Sequence, residues 1–235
     1  RDLRGAVSIL RTPDARFAGM PGFAYAPQYL QQGALRMHYV DEGPRDAAVT
    51  ALALHGEPTW SYLYRRMIPV FTAAGLRVVA PDFFGFGRSD KPGDDAWYTF
   101  DRHRDSVLAL IDALALKNIL LVCQDWGGLI GLTLPVAYET APKPPSASAP
   151  HGRAAGLGRP GAGPELFTRL LVMNTGLGTG TVTEGFKAWR AYCNANPDLA
   201  VGKLMKRSCA HLSDAEVAAY DAPFPDVQHK AGVRA

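Results

Sequence analysis

The sequence predicts an α/β protein: a mostly parallel sheet with flanking helices, followed by a helical cap. Two observations carry this. Between residues 49 and 138, short apolar runs alternate with stretches of helical period, the order that gives parallel strands joined by right-handed crossovers. Beyond residue 176 the strand-like runs stop and only helical patterns follow. The expected division is therefore a core over 1–176 and a cap over 177–235. The 235 residues are 47% hydrophobic and 20% charged, which suits an ordinary globular chain with one sizeable core.

Each element has its own justification. Residues 1–33 are rich in Pro, Gly and aromatics without a period, and are expected to wrap an edge of the sheet. Leu35 to Val40 alternates and reads as an antiparallel edge strand. Val49 to Leu54 is continuously apolar, as a strand covered on both faces would be. Ser61 to Phe71 reads as a helix and Leu76 to Ala80 as a second buried strand. Thr99 to Leu116 carries Val107, Leu110, Ile111 and Leu114 at helical spacing. Asn118 to Val122 is a strand, and Trp126 to Tyr138 the helix leaving it. Residues 141–164, largely Pro, Gly and Ala, cannot pack a core and are expected to form a flexible surface insertion. Arg169 to Asn174 resumes as a strand, and Gly176 to Thr183 is a plausible hinge. Glu184–Tyr192, Leu199–Arg207 and Ser213–Tyr220 read as short helices, the last opened by a capping box, Ser213-Asp214-Ala215-Glu216.

Composition narrows the function. A net charge of +3 with no basic block gives no reason to expect nucleic acid as a partner. No apolar run reaches the length of a membrane span, and Arg1-Asp2-Leu3-Arg4 does not open a secretory signal. Three cysteines, Cys123, Cys193 and Cys209, lack metal-like spacing; reduced thiols in a cytoplasmic protein are expected. No metal or cofactor is expected.

Three motifs fall at the carboxyl ends of predicted strands: His55 to Trp60, Asp82 to Asp90, and Gln124 to Gly128. In open α/β sheets that edge is where ligands bind. The third motif reads as strand, sharp turn, helix, the context that presents a nucleophile above a sheet. Its tip is Asp125, where most such elbows carry Ser. In isolation Asp125 could equally cap a helix.

Together the strings identify a family. His55-Gly56-Glu57-Pro58-Thr59-Trp60, Ala80-Pro81-Asp82 through Lys91-Pro92, Gln124-Asp125-Trp126-Gly127-Gly128, Gly185-Phe186-Lys187-Ala188-Trp189 and Ala222-Pro223-Phe224-Pro225-Asp226 resemble haloalkane dehalogenases of the α/β-hydrolase fold, in the subfamily that holds the halide with two tryptophans. The resemblance implies Asp125 as nucleophile and the backbone N–H groups of Glu57 and Trp126 as oxyanion hole. It implies Trp126 and Trp189 as halide ligands, and Phe186 and Leu129 as pocket lining. The substrates would be a small halogenated alkane and water, handled by a monomer in the cytoplasm.

The residue types suit that chemistry. An ionised Asp can displace halide directly, without the base that Ser needs. Water must then attack the resulting ester through an oxyanion that two backbone donors can bind. An indole N–H is donor-only and its apolar body excludes water. A hydrogen bond to a charged group is worth roughly 1.5–3 kcal/mol, so two acting on developing charge supply about 10²–10⁴ in rate.

The resemblance also implies a His base and a second acid beyond the last strand. His38, His103, His151, His211 and His229 match no catalytic motif, and Asn174 is not ionisable where a sister subfamily has its acid. His55 is expected to support its loop. The chain lacks an initiator Met and ends without an obvious terminal element; an incomplete copy is expected, able to form the alkyl ester without turning over. Two other readings stand beside this one. An epoxide hydrolase would need lid donors such as Tyr192 and Tyr220, and a non-catalytic α/β-hydrolase-fold binding protein would need no base.

Overall fold

The computed structural model describes residues 7–140, 166–178 and 180–235. The expected insertion at 141–164, with His151, lies outside the described residues. The strands are β1 (Ile9–Leu10), β2 (Gln28–Gln32), β3 (Leu35–Glu42), β4 (Thr50–Leu54), β5 (Arg77–Pro81), β6 (Lys91–Pro92), β7 (Ile119–Gln124) and β8 (Phe167–Met173). Six form one sheet in the order β2-β3-β5-β4-β7-β8, and β1 pairs with β6. β5, β4, β7 and β8 run parallel, while β2 and β3 are antiparallel additions. Every residue of β4 and β5 is buried, the outcome their continuous apolar runs predict.

The helices are α1 (Ile68–Ala73), α2 (Phe100–Ala113), α3 (Trp126–Gly131), α4 (Leu134–Thr140), α5 (Glu184–Ala195), α6 (Val201–Ser208), α7 (Asp214–Asp221) and α8 (Ala231–Arg234). The expected mostly parallel sheet with flanking helices is thus present, and α2 begins where expected, with Thr99 Oγ1 accepting the Arg102 N–H. Three expectations are corrected. β3 is not the edge, because β2 pairs outside it with Leu30 opposite Met37; three glutamines in five residues hid that strand, and such polar residues suit an exposed edge. The helix expected over 61–71 is a 3-10 turn at Ser61–Tyr64 followed by α1. Pro69 has no N–H to offer the Arg65 carbonyl, so it opens a helix there. The helix expected over 126–138 is likewise split into α3 and α4, because Pro135 cannot bond the Gly131 carbonyl.

α5 to α8 carry no strand among them. The capping box forms as read: Ser213 Oγ accepts the Glu216 N–H at 3.3 Å, and Glu216 Oε2 accepts the Ser213 N–H at 2.9 Å. The free oxygen of Glu216 takes Arg65 at 2.7 Å and Arg66 at 2.8 Å, so one carboxylate both caps α7 and fastens it to the core. Trp60 Nε1 donates to the Ala219 carbonyl at 3.2 Å. Trp60 stacks on Tyr62, and Tyr62 meets Tyr220 edge-on at 5.2 Å. Such pairs add about 0.5–1.5 kcal/mol each beyond the area they bury.

Candidate active site

Register brings the site together. Leu54 at the end of β4 lies opposite Cys123, and Gln124 at the end of β7 opposite Met173. The loops at 55–57, 125–128 and 174–175 therefore leave the sheet side by side.

Asp125 sits on the turn from β7 to α3 with φ 53° and ψ −129°. A non-glycine residue in the left-handed half of the map is strained by of order 1–3 kcal/mol and is held there only by its surroundings. The Asp125 carbonyl accepts the N–H groups of Gly128 at 2.9 Å and Leu129 at 3.1 Å, and Thr175 Oγ1 at 2.7 Å. Glycine is required on the inner side: a side chain at 127 would collide with the Leu54 and His55 carbonyls, and one at 128 with Thr175.

The Glu57 N–H donates to Asp125 Oδ1 at 3.0 Å, and the Trp126 N–H also favours the ionised carboxylate. Burial pushes the Asp125 carboxyl upward and outweighs both amides. The two backbone groups expected as an oxyanion hole thus both act on the Asp125 carboxyl.

The loop bearing Glu57 is fixed by His55. Its Nδ1 donates to the Gly56 carbonyl at 3.0 Å, and its Nε2 accepts the Phe83 N–H at 3.0 Å. Both ring nitrogens are thus engaged, and burial lowers the imidazole's proton affinity; His55 is held neutral. Beneath it Asp82 is fully buried and receives His38 Nδ1 at 2.7 Å, the Ser61 N–H at 2.8 Å and the Arg88 N–H at 2.8 Å. Burial alone would raise the Asp82 carboxyl; His38 and the amides win and hold it at about 2. Asp82 therefore ties β3, the 3-10 turn at Ser61–Tyr64 and the loop at Arg88 together under the site.

Two cavities open beside Asp125, which is itself on the wall of neither. One, of about 100 Å³, is lined by Glu57, Phe83, Phe86, His103, Trp126 and Ile130 among others. The second, of about 180 Å³, is lined by Glu57, Trp126, Phe186, Trp189, Arg190 and Cys193 among others. Glu57, Trp126, Phe186 and Trp189 therefore share one space, with the Trp126 and Phe186 rings 5.8 Å apart. Leu129 lies on neither wall, and its neighbour Ile130 lines the first cavity. Helical phase explains this: the neighbouring residue on α3 points about 100° away.

Sequence reasoning treated Glu57 as an amide donor and missed its side chain. Glu57 Oε2 accepts the Trp189 indole N–H at 3.0 Å, while Oε1 is buried without a hydrogen-bond partner among the described residues. Burial drives the carboxyl up, the Trp189 bond opposes this, nearby Asp125 adds to it, and the result is about 8. The available signal was a carboxylate placed among tryptophans. His103 Nδ1 is also buried without a partner among the described residues, and burial lowers this imidazole to about 4, too acidic for a base near neutrality. The two lid tyrosines do not face either cavity: Tyr220 OH accepts from Arg65, and Tyr192 is exposed and stacked on Trp189.

Residues 52–146 match the model of the α/β-hydrolase fold family. A haloalkane dehalogenase of Psychrobacter cryohalolentis is 45% identical over 97% of this chain and 69% of its own length. One from Mycobacterium marinum is 43% identical over 97% of this chain and 71% of its own. Among solved structures, the tetrameric haloalkane dehalogenase DpaA of Paraglaciecola agarilytica superposes with a TM-score of 0.84 at 45% identity, over 97% of this chain and 70% of that one. An epoxide hydrolase of Vigna radiata superposes at 0.62 with 18% identity, a likeness of fold alone.

Proposed function

This chain belongs to the haloalkane dehalogenase family of the α/β-hydrolase fold, and from that premise we propose that Asp125 is the nucleophile of its reaction, the hydrolysis of a carbon–halogen bond. Asp125 Oδ2 attacks the carbon bearing the halogen. The C–O bond forms as the C–halogen bond breaks, and the halide leaves with the bonding pair. Trp126 and Trp189 face that leaving group from one cavity. Completing the reaction would need water to add to the ester carbonyl, with the Glu57 and Trp126 amides receiving the oxyanion and a base taking the water's proton and returning it to the departing alkoxide; His55, with both nitrogens engaged, and His103, held at about 4, do not supply that base. The observation that carries this reading is the 3.0 Å contact from the Glu57 amide to Asp125 Oδ1 at a strained strand–helix turn. Such a donor is wasted on a capping residue and needed on an ester carbonyl.

Because burial raises the Asp125 carboxyl, ester formation quickens as pH climbs through that raised value. Incubation with 1-bromobutane followed by peptide mass spectrometry tests the nucleophile. A butyl ester on Asp125, absent from Asp125→Asn, is expected; bromide release from the Asn variant at the wild-type rate refutes the assignment. Epoxide opening has no support from Tyr192 or Tyr220, which face away from the cavities. We further propose a cap over 177–235, the cytoplasm as location and a monomer in solution, in contrast to the tetramer of the Paraglaciecola protein; light scattering distinguishes the two states. No helix among the described residues is long and apolar enough to cross a membrane.

A further inference from the structure

We propose that the Glu57 side chain is a proton-operated gate on the halide seat: its carboxylate occupies the Trp189 indole N–H when the seat is empty, and only its protonated form admits a halide ion. The proposal rests on the reading of Trp126 and Trp189 as the halide ligands and concerns a group that reading leaves idle.

The geometry is one of competition. An indole offers a single donor hydrogen, and that of Trp189 is spent on Glu57 Oε2 at 3.0 Å. A halide needing the same hydrogen must displace an anion already there. Glu57 and both tryptophans line one cavity of about 180 Å³, so a halide and an ionised Glu57 would be close like charges in one pocket. The other oxygen of Glu57 is buried with no partner among the described residues. Such an atom costs free energy as part of a carboxylate and costs less once a proton from solvent sits on it.

Two carboxyl groups in one buried site divide their roles by their donors. Asp125 holds two backbone N–H groups and is the one equipped to stay ionised. Glu57 has one indole and takes up the proton, as its elevation to about 8 agrees. The other charged or titratable groups beside it come from several elements. On α5, Cys193 is pushed up to about 12 and stays a thiol, and Arg190 lines the wall. On α8, Arg234 is committed to Asp95 at 2.7 Å. Tyr98 shares that wall, its phenol pushed up by burial. His55 and His103 line the adjoining cavity with Glu57, both imidazoles lowered by burial and so neutral. Asp125 is the neighbouring carboxyl. Neither arginine bonds Glu57 in the described structure. Protonated Glu57 removes the opposing charge and, through its new O–H, offers the incoming halide a donor.

Bromide binding, read as quenching of indole fluorescence at constant ionic strength, tests this on the full chain. If only the protonated form admits bromide, Kd rises about 30-fold between pH 6.5 and 9.5 for a group titrating near 8. Glu57→Gln is neutral throughout, so its Kd stays flat within about twofold while Asp125 and Cys193 remain in place. A measurement on the unaltered protein needs no variant: bromide added at pH 9 in weak buffer draws about 0.9 proton per ion bound, and almost none at pH 6.5. A flat wild-type Kd, an equal slope in Glu57→Gln, or bromide binding at pH 9 without proton uptake overturns the gate and leaves the halide seat standing. Failure of bromide to bind either protein at pH 6.5 overturns the seat and the gate with it.

Discussion

His55 accepts the Phe83 N–H through Nε2 at 3.0 Å, and this one bond couples the loop after β4 to the loop after β5. Its other nitrogen bonds the Gly56 carbonyl, one residue before the amide that meets Asp125. His55 is therefore a positioning residue for an amide it never touches. His55→Ala should slow breakdown of the alkyl ester about 10–100-fold, since misplacing the proposed oxyanion donor by about 1 Å can cost that much. Ester formation should change less, and the pH profile should keep its shape because His55 is neutral throughout. An effect on ester formation equal to the effect on its breakdown would contradict the assignment.

Trp189 offers a different loss. Trp189→Phe keeps the aromatic wall and deletes the donor. One hydrogen bond to developing halide, about 1.5–3 kcal/mol, predicts a fall of roughly 10–150-fold in single-turnover bromide release. A fall below threefold would mean that Trp189 packs rather than binds.

Glu57 should also mark the stability curve. Its folded-state carboxyl lies near 8 against an ordinary 4.5. A raised value stabilises fully below 4.5, and that contribution is lost as pH climbs through 8. Glu57→Gln, which never ionises, should gain on the wild type in melting temperature between pH 5 and 9. The relative gain expected is roughly 8–15 °C, from about 4 kcal/mol of linkage over that range at about 2–4 °C per kcal/mol for a chain of this size. Equal pH slopes for the two proteins would show Glu57 ionised throughout.

At the acid end the sign reverses. Asp82 and Glu216 are both held near 2; for Glu216 the Arg65 ion pair and the Ser213 amide are the main causes, and for Asp82 His38 overcomes the cost of burial. Depressed carboxylates stabilise above their unfolded values of 3.8 and 4.5 and cease to as pH falls toward 2. Stability should decline steeply over that interval. Glu216→Gln should cost about 3 kcal/mol at pH 7, because Arg65 is left buried without its counter-charge, and should flatten part of the acid limb in urea titrations.

The sequence made visible what repeats or punctuates. The continuous apolar runs of β4 and β5, the capping box at Ser213 and the strings around Glu57 and Asp125 were all legible. Prolines were the instructive failures. Pro69 and Pro135 sit inside apolar periods that look helical, yet each lacks the one hydrogen that a continuous helix requires. β2 escaped because Gln28, Gln31 and Gln32 blur its alternation. Within the site, the nearness of the Glu57 and Trp126 amides to Asp125 was readable since it follows from position in a turn. The Glu57 carboxylate was not, because its meeting with Trp189 joins residues 132 apart in the chain and belongs to no local pattern.

Thr175 has a consequence for how the protein is made. Its hydroxyl holds the Asp125 carbonyl, and its methyl fills the space that Gly128 leaves open. The Asp125 turn is thus finished by a residue 50 positions later, after β8 has docked beside β7. Closing so long a chain loop is entropically slow compared with winding a helix. During refolding, helix content should return first, and Asp125 should reach its final pose only when β8 arrives. Recovery of the proposed chemistry is a clock for β8 rather than for the turn that carries Asp125.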